Sequence, residues 1–349
     1  MGVYRDTIKI VLLCAIWFSF SSGTNVIGKQ ILTVFPYPTT LTMIQLMIIN
    51  CFLGPTLALL GVEEAPYVTR RQFVRRIAPL GIGKIMGSVS AYISILKMPV
   101  SYSHTVKALM PLFVVLLSYV IMREKYPWKV YLSLVPIVGG VLLATVTELQ
   151  FNALGLIAAL FATMCFALQN IYSKKALKEL HLHHLRLLLV ICQVAGIVVF
   201  PIWMFTDAWE LVSAPHNYFQ HMWLFLMLPL NGLFNFGQNI AAFTVLSNVS
   251  PVSYSVATVT KRVVIIVTSL QVLHNPVTSY NVLGMAMAIL GIAFYNKAKY
   301  DSNLKSKVLP THIDDFTDNG SHDSRKQHIM INSSDVTNSN HRRIPMKII

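Results

Sequence analysis

Apolar residues in this chain arrive in runs of roughly twenty, separated by short polar connections. That is the length an α-helix needs to cross a hydrocarbon core of about 30 Å at about 1.5 Å per residue. The pattern predicts helices near residues 8–31, 38–62, 77–98, 100–122, 130–147, 152–175, 186–206, 221–246, 250–273 and 279–296. From Lys297 onward the composition turns to Asp, Asn, Ser, His and Lys, too polar to bury a core, so residues 298–349 are expected to be a disordered tail. The expected fold is an all-α polytopic membrane protein: a short N-terminal segment 1–7, a first five-helix unit 8–147 and a second 148–297.

Composition agrees with that reading. Apolar residues make up 54% of the 349 and charged residues 12%, about half the share usual in soluble domains. The first run is too long for a removable signal peptide and carries Asn25 and Lys29, so it counts as helix one. Cys14, Cys51, Cys165 and Cys192 fall inside apolar runs without metal-like spacing, and read as buried free thiols. The histidine cluster His181, His183 and His184 lies in a connection, and no metal site is expected there.

Basic residues set the orientation, since Lys and Arg near helix ends stay on the cytosolic side. Arg5 and Lys9, then Arg70, Arg71, Arg75 and Arg76, then Arg123, Lys125 and Lys129, then Lys174, Lys175, Lys178 and Arg186 fall on one side. Lys29 and Lys97 fall on the other. Both termini are therefore expected in the cytosol, which requires an even number of spans and favours ten. The sequons at Asn248, Asn319 and Asn332 then face the cytosol and are not expected to be glycosylated.

The chain also repeats itself. Asn25-Val-Ile-Gly-Lys29 in helix one is echoed by Asn170-Ile-Tyr-Ser-Lys174 in helix six. Pro99-Val-Ser-Tyr-Ser103 recurs as Pro251-Val-Ser-Tyr-Ser255, and Gly139 and Gly291 keep the same offset as that pair. An odd number of helices per half turns the second half upside down. Inverted repeats of this kind characterise secondary transporters, with substrate held between the halves.

Ionisable residues at membrane depth are the candidate chemistry, because each costs roughly 2.5–3.5 kcal/mol to insert. Lys84 in helix three, Lys107 in helix four, and Lys261 with Arg262 in helix nine are all cationic, whereas Asp and Glu, including Glu148, Asp207 and Glu210, fall in connections or in the tail. Buried cations without carboxylates point to an anionic substrate. Arg262 offers a planar fork for two phosphate oxygens, and Lys261 and Lys107 mobile point charges. Lys84 has a competing reading in which it snorkels or bonds a carbonyl. Lys29 and Lys174 read as end anchors. His104, one turn before Lys107, suits either a phosphate oxygen or a helix-to-helix bond. Asn25, Asn170, Gln238 and Asn239 are the remaining polar candidates.

Phe35-Pro-Tyr-Pro38, the helix-four run Ser101-Tyr-Ser-His-Thr-Val-Lys107-Ala-Leu-Met-Pro111, and Thr260-Lys261-Arg262-Val263 together resemble the triose-phosphate translocator family of the drug/metabolite transporter superfamily. The match is closest to subfamily E of solute carrier family 35 and covers about residues 8–300. The resemblance implies ten helices in two inverted halves, alternating access, and exchange of inorganic phosphate for phosphorylated metabolites. It also implies that Lys107, Lys261 and Arg262 grip the phosphate. Plastid members place a histidine, a threonine and a tyrosine around the substrate where Ser88, Ala91 and Gln238 stand here. That difference, the absence of a transit peptide and the animal relatives imply a substrate other than triose phosphate and a Golgi or endoplasmic reticulum membrane.

The expected function is antiport of a phosphorylated small molecule against phosphate or another ester, with lipid as surroundings and no cofactor, metal or nucleic acid. A nucleotide-sugar carrier is the nearest alternative. A receptor or scaffold working through the tail is the alternative from another class, and deleting the tail distinguishes it from a carrier. An enzyme is not expected, since no carboxylate pair or activated nucleophile lies at membrane depth.

Overall fold

A computed structural model of the chain describes residues 2–62, 69–180, 182–213, 222–249 and 251–308. Glu63, Glu64, His181, and the tail from 309 with Asn319 and Asn332 lie outside the described residues. The described residues fold into α1 (Gly2–Val34), α2 (Pro38–Leu59), α3 (Arg70–Lys97), α4 (Val100–Ile121), α5 (Trp128–Val146), α6 (Ala153–Leu180), α7 (His184–Ser213), α8 (Trp223–Asn248), α9 (Pro251–Leu273) and α10 (Ser279–Val308). Nine of them are long and apolar enough to cross a membrane. The other, α8, runs for 26 residues, but Asn231, Asn235, Gln238 and Asn239 dilute its hydropathy. Met1–Asn303 form one compact unit; Leu304–Ile349 form a second, described only to Val308.

Local sequence sets the helix ends. Pro38 opens α2, and Pro99 and Pro127, both with extended backbone, precede α4 and α5. Asn152 Oδ1 accepts from the Gly155 amide at 2.9 Å and so caps α6. Arg123, with φ at 55°, ends α4 in the left-handed conformation. Inside α4, Pro111 has no N–H to offer the carbonyl four residues back, which is that of Lys107. The helix tightens there into a 3₁₀ turn over Lys107–Leu109, closed by the Met110 amide on the Lys107 carbonyl. The backbone irregularity therefore falls on the intramembrane lysine itself.

Several helices, among them α3, α7 and α10, are longer than hydropathy predicts, because polar residues continue a helix past an apolar run. α3 begins at Arg70, α10 continues through Lys297 to Val308, and α7 runs to Ser213. The last extension corrects the placement of Asp207 and Glu210 in a connection. Asp207 is buried in a π-helical turn of α7, and its Oδ2 accepts from the Thr40 amide at 2.7 Å and the Thr40 hydroxyl at 2.8 Å. Thr40 lies in the first turn of α2, whose amides have no partner in their own helix, so the carboxylate caps α2 from a neighbour. Glu148, buried in the α5–α6 connection, accepts at 3.1 Å from Asn281 of α10. Cys165 and Cys192 are buried, but Cys51 is exposed on α2.

Helix contacts pair α1 with α8 and α9, α2 with α7 and α8, α3 with α6 and α7, and α4 with α6 and α9. Along α5 and α10, Gly140 lies against Gly284 and the Ala288 backbone, and Gly291 against Ile137, so two helices meet backbone to backbone.

Candidate functional site

A polar cavity of about 310 Å³ opens between seven helices. α3 turns Lys84, Ser88, Ala91 and Ile95 toward it, positions spaced as one helical face. The orientation of that face is fixed by glycines to its side. Gly81 meets Val194 and the Ala195 backbone of α7, and Gly87 meets Phe166 and Cys165 of α6, leaving no room for a side chain at either position. From α4 come His104 and Lys107, from α9 Lys261 and Arg262, from α1 Asn25, and from α8 Asn235, Gln238 and Asn239.

The lining is one-sided in charge: four cationic side chains, and no carboxylate among the described residues. The Lys261 ammonium sits 4.6 Å from the ring centroid of Trp17, a cation–π contact that holds it without neutralising it. Trp17 is 2% exposed and stacks on Tyr254 with centroids 5.6 Å apart, so the ring itself is fixed. The Arg262 Nη1 atom is buried and makes no hydrogen bond. Arg262 lines the cavity with a guanidinium donor still unpaired, and such a donor suits an anion's oxygen.

His104 Nε2 lies 2.9 Å from Asn25 Oδ1, and Asn25 Nδ2 donates to the Ser21 carbonyl at 2.8 Å. The second bond fixes which end of the amide is oxygen, so His104 must donate from Nε2, leaving Nδ1 as its other ring nitrogen. His104 thus makes the helix-to-helix bond of its two expected roles. Asn239 donates to the Asn235 carbonyl at 2.6 Å, while Gln238 makes no hydrogen bond within the described residues and is free to meet a ligand. Asn170 does not line the cavity: it is exposed on α6 and approaches Met110 Sδ at 3.5 Å.

Sequence reasoning missed the uncharged wall. Gln45 donates to Tyr92 Oη and, at 2.6 Å, to Asn231 Oδ1; Asn231 Nδ2 then donates to the Thr24 carbonyl at 2.8 Å. This chain of bonds ties α1, α2, α3 and α8 together behind the site, and its signal in the sequence is an amide inside an apolar run. Lys29, read as an end anchor, also lies elsewhere. Its Nζ donates to the carbonyls of Ile95, Leu96 and Met98 at 2.7, 3.2 and 3.2 Å, closing the C-terminus of α3 from α1.

Comparison with known proteins gives this geometry its context. The profile of the Triose-phosphate Transporter family matches residues 8–296. The chain belongs to that family. It is 34% identical over 309 residues to phosphoenolpyruvate/phosphate translocator 1 of Oryza sativa, covering 85% of this chain and 74% of the relative. It is 30% identical over 299 residues to glucose-6-phosphate/phosphate translocator 1 of Arabidopsis thaliana, covering 84% and 76%. One crystal structure shares the fold with a TM-score of 0.52 at 12% identity, over 85% of this chain and 98% of the other. Within a translocator family, four cations around one polar cavity form a candidate substrate site.

Proposed function

We propose that this triose-phosphate transporter family member is an antiporter that exchanges a phosphorylated small metabolite for inorganic phosphate or another ester. The observation that carries the reading is the cavity whose charged lining is wholly cationic. A phosphate ester, with about 1.5 to 2 negative charges at pH 7, supplies what the lining lacks. Lys107, Lys261 and Arg262 hold the phosphate; Gln238, with Asn25 and Asn239 beside it, faces the rest of the molecule. Without a carboxylate in the cavity to carry a proton or bind sodium, anion-for-anion exchange is the coupling that fits. A volume of about 310 Å³ sits at the lower end of the range of about 300–1,000 Å³ for ligand pockets and favours a compact ester over a nucleotide sugar.

Transport runs by alternating access through ten spans in two inverted halves. Support comes from the helix contacts: exchanging each helix for the one five places along converts α3–α6 into α8–α1, α2–α8 into α7–α3 and α1–α9 into α6–α4, all contacts of this fold. The protein sits in an intracellular membrane, Golgi or endoplasmic reticulum, with both ends in the cytosol.

The test is uptake of labelled phosphate by liposomes carrying the purified protein and preloaded with phosphate or an ester. Lys261→Ala or Arg262→Ala should abolish exchange without lowering the amount of folded protein in the bilayer. Normal exchange by both variants would place the site elsewhere.

A further inference from the structure

The phosphate grip described above uses three cations, and the cavity has a fourth. Lys84 lines it with no hydrogen bond or ion pair among the described residues. Its position relative to Lys107 follows from the α3–α4 hairpin. Ser94 donates to Ser103 at 3.0 Å across the two helices, so residues equidistant from the Met98–Pro99 turn lie level. Lys107 is therefore level with residue 90, and Lys84 lies six residues further from the turn, about 9 Å along the axis at about 1.5 Å per residue.

Charge balance makes the same point. A phosphate monoester brings at most about two negative charges to a lining of four positive ones. The two cations left over are an expensive arrangement in a membrane unless a second anionic group meets one of them. Snorkelling along an apolar surface does not describe Lys84, because it lines the polar cavity on the same α3 face as Ser88 and Ala91. The flexible four-carbon stem of lysine also spans part of the 9 Å offset, which leaves room for a short carbon chain between the two anionic ends.

We infer that Lys84 is a specificity-determining residue that binds a second acidic group on the substrate, so that the carrier prefers phosphorylated acids over phosphate esters of neutral alcohols. The inference rests on the proposed exchange of phosphate esters and names the class within it. The second group is an oxyacid, either a carboxylate or another phosphate.

The experiment measures competition against labelled phosphate exchange in liposomes carrying the full chain. 3-Phosphoglycerate and glycerol 3-phosphate are the matched pair, differing only in a carboxylate that replaces a hydroxymethyl group. A third competitor, propane-1,3-diol bisphosphate, distinguishes a carboxylate from a second phosphate. The wild type should favour 3-phosphoglycerate or the bisphosphate over glycerol 3-phosphate by about tenfold or more, the range of a hydrogen bond between charged groups. Lys84→Gln should collapse that ratio toward one, and Lys84→Arg should restore it. A Lys84→Gln protein that weakens all competitors equally assigns the lysine a structural role and overturns the inference. If Lys84→Gln does not fold, the wild-type ratio still decides, since a ratio near one overturns the inference without any variant. Absence of phosphate exchange in the wild type would sink the antiport reading and this inference together, whereas exchange without preference sinks only the inference.

Discussion

Replacing Lys29 with methionine keeps the apolar stem and deletes one ammonium, and the structure sets what that deletion removes. Nζ donates to three carbonyls of the last turn of α3, at 2.7, 3.2 and 3.2 Å. Carbonyls at a helix C-terminus have no partner in their own helix, and the negative end of the helix dipole adds to their attraction for a cation. Hydrogen bonds to a charged group contribute about 1.5–3 kcal/mol, but these three share one ammonium, and the variant is relieved of keeping that half-buried charge from water. A net loss of about 2–3 kcal/mol is expected, which at about 2–4 °C per kcal/mol corresponds to a fall in melting temperature of about 4–12 °C. Thermal unfolding of purified wild type and Lys29→Met in the same detergent reads this directly. Because Lys29 does not line the cavity, stabilisation by added phosphate should persist in the variant. A melting temperature within a degree of wild type would refute the clamp, and loss of the phosphate effect would move Lys29 into the site.

Gly140→Val should impair folding, because a Cβ at position 140 would stand 2.7 Å from the Gly284 carbonyl oxygen and 2.9 Å from the Ala288 Cα, both backbone; monodispersity on size exclusion measures it, and a wild-type profile would refute it. Glu148→Gln should narrow its difference from wild type as pH falls. Burial pushes the Glu148 carboxyl above its ordinary range, so the folded protein carries an unfavourable charge at neutral pH and loses it on protonation. Wild-type stability relative to the variant should therefore rise as the pH drops through that raised value and level off below the ordinary carboxylate range. Parallel melting curves of the two proteins from pH 8 to pH 4 would refute this.

What the sequence revealed of the site depended on cost. Lys107, Lys261 and Arg262 stood out because an ionised group in an apolar run is expensive enough to demand a reason. Gln45, Tyr92 and Asn231 are cheap by comparison, and only folding shows that they bond to one another. Trp17 looked like one more apolar residue until the fold set Lys261 against it. Asn170 mirrors Asn25 in the repeat, yet Asn25 bonds His104 beside the cations and Asn170 lies outside the cavity. Symmetry of sequence thus did not carry over to the lining. Helix ends were the least legible, since hydropathy marks where a membrane would stop and not where backbone hydrogen bonding does, as α3, α7 and α10 show.

The glycine-lined crossing of α5 and α10 has a bearing on how substrates are exchanged in evolution and in the laboratory. Neither helix contributes a residue to the cavity, and their closest approach is made by backbone, so no residue of that crossing faces the molecule the cavity would hold. The cavity lining comes from separate helices, chiefly α3, α4, α8 and α9, and on the proposed function substrate preference is set there. A chimera that exchanges cavity-facing side chains on those four while leaving the α5–α10 seam untouched should redirect transport and keep its scaffold. The fold therefore divides into a frame that takes no part in the cavity and a lining that can be changed without disturbing it.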